Sequence, residues 1–240
     1  MANRSMSVVY IQKKVNDGGS GGFYAAMKEA FNRGYDWLWL MDDDGLPDRK
    51  ELKELYNKSV EYHLQYANAL VLDIKDPTHF SFGLSKGRLV YTVEDAKKKP
   101  VIEDVANPFN GTFVSREVIE KIGFIKKEMF IWGDEIEYFL RTKKNRFKIA
   151  TVPSAVHLHP KSVNKNNYIS FYNWKVPDVF GTRFICVHRN KGYIYSRYYG
   201  ICGIIKYLIA NTAIYVCNFQ FKKWLLFIKY YFEGVFNYYK

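Results

Sequence analysis

The sequence predicts an α/β domain in which helices cover a sheet, and three observations point there. Strand-like and helix-like patterns alternate through residues 7–74, the rhythm of strands joined by crossover helices. Residues 36–41, Asp-Trp-Leu-Trp-Leu-Met, form a nearly continuous apolar run of strand length, which suits a strand buried on both faces. The 240 residues are 48% hydrophobic, enough for one large core with a short appendage.

The elements follow in order. Residues 7–12 (Ser-Val-Val-Tyr-Ile-Gln) are β-branched and aromatic, a predicted strand that runs into a glycine-rich turn at 16–22. Residues 23–32 carry an apolar stripe at helical spacing (Phe23, Met27, Ala30, Phe31), and Gly34 stands where a C-terminal cap would. The strand at 36–41 ends abruptly in Asp42, Asp43 and Asp44. Pro47 and Asp48 open a helix through 62, and 69–74 reads as the next strand, so the early part predicts a parallel sheet covered by helices. Beyond it the pattern predicts a hairpin in 80–93, a strand at 109–114, helices at 116–122 and 134–143, and a strand at 148–152.

Composition narrows the class. No stretch is dominated by Gly, Ser or Pro, and no repeat is present, so neither a flexible linker nor extended disorder is expected. The net charge of +12 suits nucleic acid, an anionic membrane or phosphorylated substrates. No nucleic-acid motif accompanies the charge, which argues against the first. From Phe180 onward the only acidic residue is Glu233, and the basic residues are interleaved with aromatics, as in Phe221-Lys222-Lys223-Trp224-Leu225-Leu226-Phe227-Ile228-Lys229. Two readings fit this tail: an amphipathic surface lying on anionic lipid, or a helical cover with a solvated basic face. The stretch 200–217 is the most apolar, but Lys206 and Asn211 interrupt it, so it is expected to be interfacial or core rather than spanning. The odd set Cys186, Cys202 and Cys217 has no ligand spacing, and no signal-peptide pattern opens the sequence; both suit the cytoplasm.

Four groups of residues could carry chemistry. Asp42, Asp43 and Asp44 end a predicted buried strand, where ligands bind in open α/β sheets. Adjacent carboxylates repel unless something positive neutralises them, and a hard divalent cation does so; the plainer reading is an acidic turn capping the next helix. Asp134, Glu135 and Glu137 crowd the first turn of a predicted helix, either to satisfy its dipole or to supply a general base. His157 and His159, two apart, fall on one side of an extended chain as structural residues or as a ligand pair. Asn16, Gly18, Gly19, Gly21 and Gly22 form a loop whose N–H groups could approach a phosphate or sugar.

In order and spacing these pieces resemble the family-2 glycosyltransferases, in particular their rhamnosyl- and galactofuranosyltransferase branch. The matching text is Asn16-x-Gly-Gly-x-Gly-Gly-Phe23, Asp36 to Asp44 with Pro47, Phe109-Asn110-Gly111, Trp132-x-Asp134-Glu135-x-Glu137-Tyr138 with Arg141, Val152-Pro153-Ser154-Ala155-Val156-x-x-His159, and Arg189-Asn190. The resemblance implies a GT-A-like mixed sheet flanked by helices, a catalytic domain over 1–195 and a basic, aromatic helical tail over 196–240. It implies inverting sugar transfer from a UDP- or dTDP-sugar to a glycan or lipid-linked glycan. Asp42, Asp44 and His159 would hold Mn²⁺ or Mg²⁺, with His157 second to His159. Asp42, Asp43 and the glycine loop with Asn16 would meet the donor, and Trp132, Asn110 and Glu137 would line the sugars. Glu135 or Asp134 would be the base. The resemblance also implies a nucleotide-binding strand–helix–strand ahead of residue 7 that this chain lacks, leaving a sheet edge for a partner chain. With the basic tail it places the protein on the inner face of the cell membrane.

Overall fold

The computed structural model describes residues 8–161 and 168–239. One mixed sheet of six strands organises it, in the order β1 (Trp37–Met41), β7 (Asn110–Ser115), β3 (Tyr66–Asp73), β8 (Ile149–His159) and β2 (Leu46–Pro47), with β6 (Ile102–Glu103) also paired to β8. Only β3 and β8 pair in parallel, so the sheet is mixed, as the resemblance implies, and the parallel sheet read from the early pattern alone is not formed. The cause is β7, which lies antiparallel to both β1 and β3 and separates them. Strands β1, β3 and β8 therefore run the same way. Their carboxyl ends share one edge of the sheet with the start of β7.

Helices pack on both sides. The apolar face of α1 (Gly18–Asn32) meets α4 (Arg116–Ile122) and α5 (Asp134–Lys144) around Met27, Leu38, Leu40, Tyr66 and Tyr138. On the opposite face α2 (Glu51–Tyr62) places Leu55 against Ala67, Phe113 and Val152. Successive strand residues point to opposite faces, which lets one strand feed both cores. A small hairpin, β4 (Ser85–Lys86) and β5 (Leu89–Val90), lies within the predicted 80–93, and α3 (Val93–Lys97) follows it.

Three expectations change. Val8 and Tyr10 are exposed and residues 8–12 form no strand, because no neighbour offers them a ladder among the described residues; Ser7 lies outside those residues. The glycine-rich stretch is not a loop throughout: Gly18–Gly22 is the first turn of α1, held by Ser20 N–H donating to the Phe130 carbonyl at 3.1 Å. Glycine is required at Gly18, whose φ is 71° and where a Cβ would overlap the Phe130 backbone. Finally, β8 continues well past 152. Pro153 cannot donate to a ladder, so residues 153–155 bulge out, and pairing resumes where Val156 faces Leu70.

The C-terminal layer comprises the hairpin β9 (Tyr168–Phe171) and β10 (Trp174–Pro177) with α6 (Gly181–Ile194), α7 (Gly200–Cys217) and α8 (Phe221–Val235). Its own core is Phe184, Ile214, Tyr215, Phe227 and Tyr231, with Val176 and Val179. The boundary expected at 195/196 falls between α6 and α7, two helices that share this core. Inside it His188 accepts burial only as the neutral imidazole, its pKa pushed down to about 3 by desolvation.

Candidate active site

The shared direction of β1 and β8 gathers the acidic loop and a histidine at one edge. Asp42 leaves the end of β1, its N–H donating to the Phe109 carbonyl at 3.2 Å. The chain then crosses the sheet edge and pairs as β2 with Leu158 and His157 of β8. That crossing carries Asp44 to His159, with Oδ1 and Nε2 3.0 Å apart. Asp42, Asp44 and His159 each present a ligand atom within 4.8 Å of the others.

The donor set fits a hard cation. His159 Nδ1 lies 2.7 Å from the Pro160 carbonyl, which accepts only, so Nδ1 carries a proton and Nε2 is the nitrogen turned to Asp44. The 3.0 Å approach of Nε2 to the carboxylate is satisfied by a proton on Nε2 or by a cation held between the two groups. Burial pushes the Asp42 carboxyl up to about 6, with repulsion from Asp44 adding to it and His159 partly offsetting. A divalent ion would reverse that shift.

His157, expected on the same side as His159, has a different task. Its Nδ1 lies 3.2 and 3.1 Å from the two oxygens of Glu51, and both side chains are fully buried. Trp39 Nε1–H also donates to Glu51, at 3.3 Å. Gly45 rests on the His157 ring, where a Cβ would overlap Nε2, so this buried pair forms the floor beneath the acidic turn. Glu51 was hidden in the sequence as an ordinary helix-opening acid.

Opposite the acidic turn stands the start of α5. A cleft of about 690 Å³ runs between them, lined by Gly19, Phe23, Asp42 to Asp44, Phe82, Ala106 to Asn110, Ile131, Trp132, Asp134 to Ile136 and His159. Glu135 Oε2 accepts from Gly133 N–H at 3.0 Å. Its carboxyl is pushed up to about 8, first by burial and then by the adjacent Asp134. Two lining residues, Phe109 (φ 64°) and Trp132 (φ 63°), hold left-handed backbone that side chains disfavour, the kind of strain that collects at functional sites. The Phe109 loop is pinned by its own N–H donating to Thr112 Oγ1 at 2.6 Å, while Thr112 Oγ1–H donates to Asn68 Oδ1 at 2.6 Å. The Trp132 loop is pinned by Asn190 Nδ2, which lies within 3.0 Å of the carbonyls of Met129, Ile131 and Trp132.

Not every expected residue reaches the cleft. Of the glycine loop only Gly19 lines it; Asn16 instead accepts from Gly18 N–H at 3.0 Å, and Gly18, Gly21 and Gly22 turn away as α1 winds. Glu137 is corrected as a sugar-lining residue. Two positions past Glu135 is a turn of about 200° around a helix, so Glu137 faces inward. There Tyr198 Oη–H donates to it at 2.6 Å and Arg141 Nη2–H at 2.9 Å. Phe82 and Asn107 were missed because the loops that bring them in show no periodicity.

The pinning by Asn190 predicts that Asn190→Ala frees the 129–133 loop. Removing a buried donor costs about 1–3 kcal/mol, and steady-state kinetics should show a lower turnover number with a smaller change in donor KM.

The model of Glycosyl transferase family 2 matches residues 1–123, just over half of the chain. Galactofuranosyltransferase GlfT1 of Mycobacterium tuberculosis is 30% identical over 204 residues, covering 82% of this chain and 67% of that protein. The chain belongs to glycosyl transferase family 2. It is therefore a glycosyltransferase by descent, and its mixed sheet flanked by helices is the fold expected of such a family member. The GlfT1 of Mycolicibacterium smegmatis is 28% identical over 198 residues, covering 78% of this chain and 65% of that protein, so the family 2 chain here spans about two thirds of the length of these relatives. Among solved structures, GalNAc-T7 with UDP, GalNAc and Mn²⁺ aligns over 78% of this chain and 39% of its own at 13% identity and TM-score 0.47. S. aureus TarS aligns over 92% and 43% at 10% identity and TM-score 0.43.

Proposed function

We propose that this chain transfers a sugar from a UDP- or dTDP-linked donor to a hydroxyl of a glycan or lipid-linked glycan, with inversion and with Mn²⁺ or Mg²⁺ held by Asp42, Asp44 and His159. One observation carries the reading: a three-ligand cluster and a carboxyl of raised pKa face one cleft from opposite walls. The ion, when bound, supplies charge neutralisation at the donor diphosphate.

The chain's own residues supply the rest. Asp43, exposed in the same turn, meets the donor sugar or ribose. Trp132 and Asn110 line the sugars, the indole offering an apolar face to a ring. Glu135, with Asp134 beside it, takes the proton of the acceptor hydroxyl. The acceptor oxygen then bonds to the anomeric carbon as the bond to the diphosphate oxygen breaks, and the leaving diphosphate keeps that electron pair. A base near pKa 8 is well matched to a hydroxyl proton at neutral pH.

The relatives' name makes a nucleotide-linked galactofuranose the first donor to try. Turnover should vanish on chelation, return with Mn²⁺, and give product of inverted anomeric configuration by NMR. Chelator-resistant turnover or retained configuration would overturn the reading.

A second reading draws on β1, which among the described residues pairs only through its β7 side. In it another chain adds strands to the open edge and supplies nucleotide-base contacts. Calorimetry with UDP and dTDP separates the two: metal-dependent binding by this chain alone favours the first, and binding only after a partner is added favours the second.

A further inference from the structure

One exposed face of the C-terminal layer carries an apolar ridge that the catalytic reading does not use. On α7 the exposed side chains Ile201, Ile205 and Ile209 recur every four residues, one line along the helix. On α8 Phe221, Leu225 and Leu226 are exposed, as is Phe219 in the joining turn, at 83%.

The two helices are antiparallel, packed through Trp224 Nε1–H donating to Thr212 Oγ1 at 3.3 Å, Tyr207 stacked on Tyr231 at 5.3 Å, and Tyr231 Oη–H donating to the Ile204 carbonyl at 2.9 Å. Those contacts fix the rotation of each helix about its axis. At 100° per residue, Ile205 and Ile209 fall to one side of the seam, and Phe221 and Leu225 fall to that same side. Lys206, Lys222 and Lys229 are exposed around this ridge, and Glu233 is the only acid in the layer's helices.

From this placement we infer that the outer face of the α7–α8 hairpin is a docking surface for an anionic lipid bilayer, with the isoleucine and phenylalanine–leucine ridge in the headgroup layer and the lysines on the phosphates. The inference stands independently of the sugar-transfer reading. Charge selects the occupant. A two-fold contact between copies would set three lysines a side against the single acid Glu233, whereas an anionic surface neutralises them.

The surface lies on the bilayer and does not cross it. The run Gly181–Cys217 is long and apolar enough, by length and composition, to span a membrane. Here it is broken at Gly200 (φ 65°), and α7 buries its own Asn211, Ile214 and Tyr215 on the side that packs with α8. A spanning α7 would have to abandon those contacts.

The test is co-sedimentation of the full chain with vesicles of phosphatidylcholine, with and without phosphatidylglycerol. Binding should be about tenfold tighter to the anionic vesicles and weaken with salt. Ile205→Glu with Leu225→Glu should abolish it, and Lys222→Glu with Lys229→Glu should remove the preference for anionic lipid. Circular dichroism melting should leave both pairs of variants folded. Equal binding to neutral vesicles, or full binding by the Ile205→Glu, Leu225→Glu chain, would overturn the inference. So would alkaline-carbonate resistance of the membrane-bound protein, which would mark a spanning helix. A dimer in light scattering that dissociates in that double variant, without vesicle binding, would assign the face to a second copy.

Discussion

Glu135→Gln is expected to lower the turnover number about a thousandfold, in the range set by loss of a positioned acid–base group. Donor binding should be unchanged, because Gln keeps the volume and the acceptor oxygen that Gly133 N–H needs. The pH profile supplies the independent check. Only the ionised carboxylate accepts a proton, so with a pKa near 8 the parent kcat/KM should climb from pH 6 and level above about pH 8. In the variant that limb should be absent. Stability carries the same signature with the opposite sign. A folded-state pKa raised from 4.5 to about 8 gives stability that is full below 4.5 and lost as pH rises through 8. Glu135→Gln should therefore raise Tm at pH 9 relative to the parent and leave it nearly unchanged at pH 4. A variant that keeps parental turnover would move the base to Asp134 or out of the cleft.

The largest effect on folding is expected at the crossing of α6 and α8. A Cβ on Gly192 would overlap the Tyr231 carbonyl, and one on Gly234 would overlap the Arg189 carbonyl, so the two backbones touch where each helix has a glycine. Gly234→Leu must push the helices apart, opening the core around Phe227 and Tyr231 and dragging Asn190 from the Trp132 loop. The expected cost is about 3–5 kcal/mol, the scale of severe core disruption. It should appear in urea melts monitored by near-UV dichroism. Gly22→Ala is the matched contrast. That glycine is exposed in α1 with open space where a Cβ would stand, so alanine should stabilise by about 0.5–1 kcal/mol. If Gly234→Leu melts with the parent, the close crossing is not what holds the layer together.

The parts of this molecule that were readable in the sequence share a physical reason. The run Trp37–Met41 and the three aspartates after it state a strand and its sudden end in consecutive residues, although only Leu38 and Leu40 are buried and the other face of this edge strand is half-buried. Asp134 and Glu135 open a helix of clear periodicity. Those local signals predicted the acidic wall and the α5 wall of the cleft. The illegible parts depend on distant partners. Residues 8–12 have strand composition but no ladder to join, since β propensity expresses fit to a neighbour more than a backbone preference. The extension of β8 past Pro153 follows from register with β3, and the pairing of His157 with Glu51 joins residues 106 apart. The motif containing Glu137 implies a cleft-lining side chain, yet helix geometry alone turns it inward to Arg141 and Tyr198.

Calorimetric titration with Mn²⁺ and UDP decides whether Asp42, Asp44 and His159 hold a divalent ion that draws a nucleotide diphosphate into the cleft. One Mn²⁺ per chain is expected, bound more tightly when UDP is present, with at least about tenfold weaker binding in both Asp44→Ala and His159→Ala. Mn²⁺ affinity that is the same in the parent and in both variants would contradict it.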